Sequence, residues 1–159
     1  SVARVGVFVD MAPDEIAQTA DAVGLSHIQL HGDVDVAAVR ASSDRPVWVG
    51  FGVASAADLA TAERSPADLI LLDASVPGEH GGTGQRPDWE LIGARRPHRP
   101  FLLAGGLDCD NVAGAIARLD PWGVDVSSGV ESARGVKDPA RIAAFIAAAR
   151  DAVPARSSV

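Results

Sequence analysis

The chain holds a single cysteine, Cys109, in 159 residues. That excludes an intrachain disulfide and a cysteine-based zinc site, and it fits a reducing cytoplasm. Positive charge is also scarce. The 14 Lys+Arg against 21 Asp+Glu leave a formal −7, which argues against nucleic acid or an anionic membrane surface as partner, because both need clustered cations. No stretch has the length of a membrane span or the pattern of a secretory signal. Neither a Walker loop nor a Gly-x-Gly-x-x-Gly turn is present, so nucleotide binding is a poor reading. What remains is 47% hydrophobic residues and a mean hydropathy of +0.13, the profile of one soluble globular domain with a sizeable core.

Short apolar runs alternate with amphipathic segments. Residues 4–9, 27–30, 47–53, 68–72, 101–104 and 123–126 read as six strands, with helix-start signals between them: Pro13-Asp-Glu, Ser55-Ala-Ala-Asp58, Asp108 ahead of Asn111, and Asp138 with Pro139. The β-α-β-α order predicts a parallel sheet with crossover helices. A last helix over 140–152 is expected to bury Ile142, Phe145 and Ile146 at helical spacing, and residues 153–159 to form a frayed tail.

In parallel α/β folds the chemistry sits at the carboxyl ends of strands. The residues closing each run here are Asp10, His31 with Gly32, Gly50 and Gly52, Asp73, Gly105 with Gly106, and Ser127-Ser128-Gly129. All are polar or glycine. The last two groups open onto helix starts, so their backbone amides can share one phosphate dianion. On the final strand, Gly123, Asp125 and Ser127 face one way, and Val124 and Val126 the other.

Asp73 follows four aliphatic residues, where burial favours the protonated carboxyl and suits a general acid. A capping or turn aspartate is the equal alternative. The glycine-rich segment over 76–85 has the composition of a mobile lid, or of an ordinary surface loop. His27, Gln29 and His31 share a strand face, but no third ligand stands at a metal-binding spacing, so no metal is expected. Cys109 has no histidine in its stretch to activate it and reads as structural. His80 and His98 read as solvated loop residues.

Taken together, Gln29-Leu-His-Gly32, Leu71-Leu-Asp73, Gly81-Gly-Thr-Gly84 with Asp88-Trp89, Ala104-Gly-Gly-Leu107 and Asp125-Val-Ser-Ser-Gly-Val-Glu131 resemble the phosphoribosylanthranilate isomerases of tryptophan biosynthesis. Order and spacing hold over the chain to Ala152. Val5-Gly-Val-Phe-Val9 is similar to that family's third barrel strand. The resemblance implies a (β/α)8 barrel of the ribulose-phosphate-binding type and an Amadori rearrangement of N-(5-phosphoribosyl)anthranilate without metal or organic cofactor. By resemblance, Asp73 is the general acid at the furanose ring oxygen, and Gly105, Gly106, Ser127, Ser128 and Gly129 hold the phosphate. His31 and Asp125 line the pocket, and Gly82 and Gly84 belong to the covering loop.

The family's first strand ends in a Lys-Ile-Cys-Gly-like motif whose cysteine is the general base, and its second unit brings an arginine. Neither is found here. The expectation is therefore an incomplete barrel over 1–152, about six βα units corresponding to units three to eight, whose open edges imply self-association or a complementing N-terminal segment. The competing readings are a non-catalytic phosphate-binding fragment and another ribulose-phosphate-binding barrel. Of the latter, indole-glycerol-phosphate synthase would want catalytic lysines where the sole lysine is Lys137, and a pentose-phosphate epimerase would want metal ligands.

Overall fold

The computed structural model describes residues 2–74 and 89–153. Its main sheet contains β1 (Val5–Val9), β2 (His27–His31), β3 (Val47–Gly52), β4 (Leu69–Asp73), β5 (Phe101–Ala104) and β6 (Gly123–Val124). Helices α1 (Pro13–Ala22), α2 (Val36–Ser42), α3 (Ala56–Arg64), α4 (Trp89–Ala94) and α5 (Val112–Leu119) separate them. A 3-10 turn (Ser128–Val130), a hairpin of β7 (Glu131–Ala133) and β8 (Val136–Lys137), and α6 (Pro139–Ala152) complete the order.

Every strand runs parallel to its successor, in the spatial order β1 to β6. Right-handed crossovers along an order that never reverses put all helices on one face, which makes a barrel wall and not a doubly wound sheet. The packing agrees. Ile28, Leu30, Ile70, Leu72, Phe101 and Leu103 share one core with helix residues such as Ile16, Val39, Leu59 and Ile116. Among the described residues the opposite face carries a small cluster of Leu69, Leu71, Leu102 and Ala104, with Trp48 against it. Among the described residues β1 and β6 are the sheet's edges and do not pair with each other. On β1, Val7 and Val9 are 61% and 60% exposed, on the face that Gln29 and His31 share by register.

Local chemistry explains the helix starts. The Asp35 carboxylate accepts from the Ala38 amide at 3.0 Å. Ser55 and Asp58 form a reciprocal capping box, and Asp138 accepts from the amides of Ala140 and Arg141 with Pro139 in the first turn. At α5 the arrangement differs from the expected cap: Asp108 takes the amides of Asp110 and Asn111, both at 2.9 Å, in a turn ahead of the helix, and Asn111 is the N-cap residue without a side-chain cap bond.

Three expectations need correction. The last strand ends at Val124 and not at Val126, because the ladder with β5 stops there and the chain turns into the 3-10 segment. The fourth strand is displaced by one residue, which makes Asp73 its last member, paired with Gly52 and Ala104. Ile142 and Ile146 are 36% and 43% exposed, and Phe145 alone of that trio is buried. The contact stripe of α6 is instead Phe145 with Ala148, Ala149 and Ala152. At about 100° per residue Ile146 points away from that stripe. A helix packed at one edge of the wall buries a narrower arc than the residue spacing suggests. The hairpin of β7 and β8 was not expected either; Gly135, at φ +78°, turns it. The tail over 154–159 lies outside the described residues.

Candidate active site

The carboxyl ends of the six strands come to one rim of the wall. Asp73 closes β4, half-buried, with its carbonyl accepting the Val53 amide at 2.9 Å. One strand along, Gly105 and Gly106 adopt φ of +90° and +63°, a left-handed pair that L side chains resist. Asn111 braces this turn: its Nδ2 donates to the Gly106 carbonyl at 2.9 Å, and its Oδ1 accepts from the Asp108 amide at 3.0 Å.

The loop after β6 packs directly on that turn. A Cβ on Gly129 would lie 1.8 Å from the Leu107 carbonyl oxygen and 3.0 Å from the Asp108 Cα. Backbone therefore meets backbone where the two glycine-rich loops touch. The contact between these loops runs from Gly129 to Leu107 and Asp108, next to the Gly105-Gly106 turn and the Ser128 position expected to hold phosphate. Ser127 is turned differently: its carbonyl and Oγ accept from Lys137 Nζ at 2.8 and 3.2 Å.

On the other side of Asp73, the His31 imidazole stands over Gly50, where a Cβ would meet its Cε1 at 2.2 Å. Gln29 Nε2 lies 2.8 Å from His31 Nε2. His27 is directed away, to Ser26 Oγ at 2.9 Å and to the Trp48 ring at 4.9 Å between centroids. Asp10 at the end of β1 accepts from the Asp33 amide at 3.0 Å, so it organises the loop after β2. Gly82, Gly84, the rest of the lid-like segment and His80 lie outside the described residues.

Asp125 sits where these groups meet. Desolvation by the surrounding protein, and then the neighbouring Asp73 carboxylate, push its carboxyl above the usual range, while His31 and Lys137 pull it back. Its proton is therefore held more tightly in the folded than in the unfolded chain. Its contribution to stability is fullest below the unfolded pKa and is lost as pH rises through the raised folded one. Asp125→Asn is thus expected to stabilise the fold at pH 7, modestly because the residue still reaches solvent, with the gain vanishing below about pH 4. Urea midpoints at the two pH values measure this, and a gain that persists in acid would contradict it.

Sequence reasoning assigns no role to two residues of this rim, Gln29 and Lys137. Gln29 carries no signal beyond its shared strand face. Lys137 could have been found from the Glu131-Ser-Ala-Arg-Gly-Val-Lys137 stretch, whose central glycine and flanking residues spell a short hairpin. No group of three or more His, Cys, Asp or Glu among the described residues could hold a metal ion.

Similarity to known proteins follows the same geometry. A family model described as N-(5'-phosphoribosyl)anthranilate (PRA) isomerase matches residues 1–148. The chain is 47% identical to the N-(5'-phosphoribosyl)anthranilate isomerase of Magnetococcus marinus, over 93% of this chain and 70% of that protein. Phosphoribosyl anthranilate isomerase from Thermotoga maritima superposes with a TM-score of 0.85 at 40% identity, over 94% of this chain and 74% of that one. A phosphoribosyl anthranilate isomerase solved in complex with reduced 1-(o-carboxyphenylamino)-1-deoxyribulose 5-phosphate superposes with a TM-score of 0.79 at 37% identity, over 94% and 72%.

Proposed function

The chain belongs to the N-(5'-phosphoribosyl)anthranilate isomerase family, and we propose on that premise that its rim catalyses the Amadori rearrangement of N-(5-phosphoribosyl)anthranilate to 1-(2-carboxyphenylamino)-1-deoxyribulose 5-phosphate. The observation that carries this is the position of Asp73, one strand from a paired glycine cradle, in a chain of that family. The substrate's phosphate binds the amides of Gly105, Gly106, Ser128 and Gly129, at loops after consecutive strands. Asp73 gives a proton to the furanose ring oxygen as the bond from that oxygen to C1 breaks. A base then takes the C2 proton, and the resulting enolamine gains a proton at C1 and gives up its O2 proton to become the ketone. The conversion moves protons within one carbon skeleton with no net redox change, so it asks for no electron-carrying cofactor. His31 and Asp125 line the sugar side of the pocket.

In this reading residues 1–152 are units three to eight of the family's barrel, acting on a small metabolite in the cytoplasm. Two observations support it: the coverage of 70–74% of the relatives' length and a wall whose edge strands β1 and β6 remain unpaired with each other. A closed ring removes both edges and would supply the strand that carries the family's cysteine base. No helix among the described residues is long and apolar enough to cross a membrane.

The test is turnover of phosphoribosylanthranilate by residues 1–159 alone and with two further βα units supplied in trans or fused. The completed barrel is expected to exceed the chain alone by about 10²–10⁴, the range for a lost general base. Full turnover by the chain alone would overturn the need for the additional units. Phosphate binding with turnover in neither sample would favour the non-catalytic reading.

A further inference from the structure

The one lysine of this acidic chain is half-exposed, with its ammonium against the loop that follows β6. Lys137 Nζ, at the end of β8, lies 2.8 Å from the Ser127 carbonyl, 3.2 Å from Ser127 Oγ and 2.8 Å from Glu131 Oε1. An ammonium has three N–H donors, and all three are taken by these acceptors. None is left for a ligand. The partner carboxylate is equally engaged. Glu131 Oε2 accepts from the Gly135 amide at 2.9 Å, and the ammonium first, then that amide, hold Glu131 below the usual carboxylate range. Backbone bonds continue the attachment: the Asp138 amide donates to the Val130 carbonyl at 2.9 Å, and Arg141 Nη1 donates to the Glu131 carbonyl at 2.8 Å.

We infer that Lys137, held by Glu131, is a positioning residue that clamps the 127–130 loop from the hairpin side. The opposite side of that loop is fixed by the approach of Gly129 to the Leu107 carbonyl. The hairpin of β7 and β8 then has a purpose that a βα repeat does not need. It is a brace folded back on the loop between the last strand and the last helix. Pre-organised amides bind an anion without first losing the entropy of ordering a loop. The ammonium also places a positive charge beside the 127–130 loop, on the Ser127 carbonyl and hydroxyl. The phosphate half of this inference rests on the cradle reading above; the clamp itself does not.

The clamp is tested on the ligand-free chain by hydrogen exchange at the Val130 amide, which donates to the Ser127 carbonyl, and at the Glu131 amide, which donates to the Ser128 carbonyl. Lys137→Met is expected to speed exchange at both by at least tenfold, leave the β5 amides unchanged, and be largely rescued in Lys137→Arg. Exchange in Lys137→Met within twofold of the parent would overturn the clamp. Should that variant not fold, Glu131→Gln is read in the same way, with an expected change in the same direction. A second arm titrates inorganic phosphate against the amides of residues 105, 106, 128 and 129, where Lys137→Met is expected to bind about tenfold more weakly than the parent. No response in the parent would reject the cradle and the phosphate role of the clamp together, while unchanged exchange rejects the clamp alone.

Discussion

Asp73→Asn, made in a barrel completed by the two further βα units, is expected to lower kcat/KM by about 10²–10⁴, roughly 3–5 kcal/mol of barrier. Asparagine keeps the shape and the backbone pairing with Gly52 and Ala104, so the strand end should survive. What it removes is a transferable proton. Phosphate binding at residues 105, 106, 128 and 129 should therefore persist, since the proposed cradle uses backbone amides of the next two loops. That separation is the point of the experiment. A variant that keeps turnover within a few-fold of the parent would assign Asp73 to structure, the alternative that its position at a strand end leaves open. A variant that loses phosphate binding and activity together would place it in the loop architecture instead.

Gly129→Ala is expected to be the most damaging single-methyl change at the rim. The added Cβ would fall 1.8 Å from the Leu107 carbonyl oxygen, 2.9 Å from the carbon of that carbonyl and 3.0 Å from the Asp108 Cα. All three are backbone, so no side-chain rotation relieves the clash, and one of the two loops must move. Overpacking of this kind costs about 1–3 kcal/mol, and displaced amides should weaken inorganic phosphate by at least tenfold. Gly114→Ala serves as the control. It lies inside α5 with nothing within 4 Å of the new methyl, and alanine in a helix interior stabilises by about 0.5–1 kcal/mol over glycine. Equal urea midpoints for the two variants, with undiminished phosphate shifts in Gly129→Ala, would show that the loops do not touch as described.

Much of the wall was legible because its signals are local. Four or five aliphatic residues in a row, as in Leu69-Ile-Leu-Leu, mark a strand buried on both faces, and a Ser55-x-x-Asp58 box or an Asp138-Pro139 start marks a helix from its own side chains. The strand ends were readable for the same reason, since glycine pairs and lone carboxylates stand out after apolar runs. Where reading fell short, the missing information was not local. The α6 stripe depends on how much of that helix meets α5, which spacing cannot tell, so Phe145 and three alanines occupy the contact that Ile142 and Ile146 were expected to share. The hairpin's one local mark is the turn glycine Gly135, because two- and three-residue strands carry almost no periodicity.

The sequence by itself determined the parallel α/β class, the six strand segments to within a residue or two, and the set of polar strand ends including Asp73, Gly105, Gly106 and Ser127–Gly129. Those features follow from alternation, capping and the conformational range of glycine, all of which act over a few residues. Tertiary structure alone decided which of them meet. Gly129 touches Leu107 across 22 residues of chain, Asp125 feels Asp73, His31 and Lys137 from three other elements, and Lys137 crosses back to Ser127. Close approach, desolvation and charge coupling depend on distance in space, and that distance exists only once β1 to β6 stand side by side and their carboxyl ends share one rim.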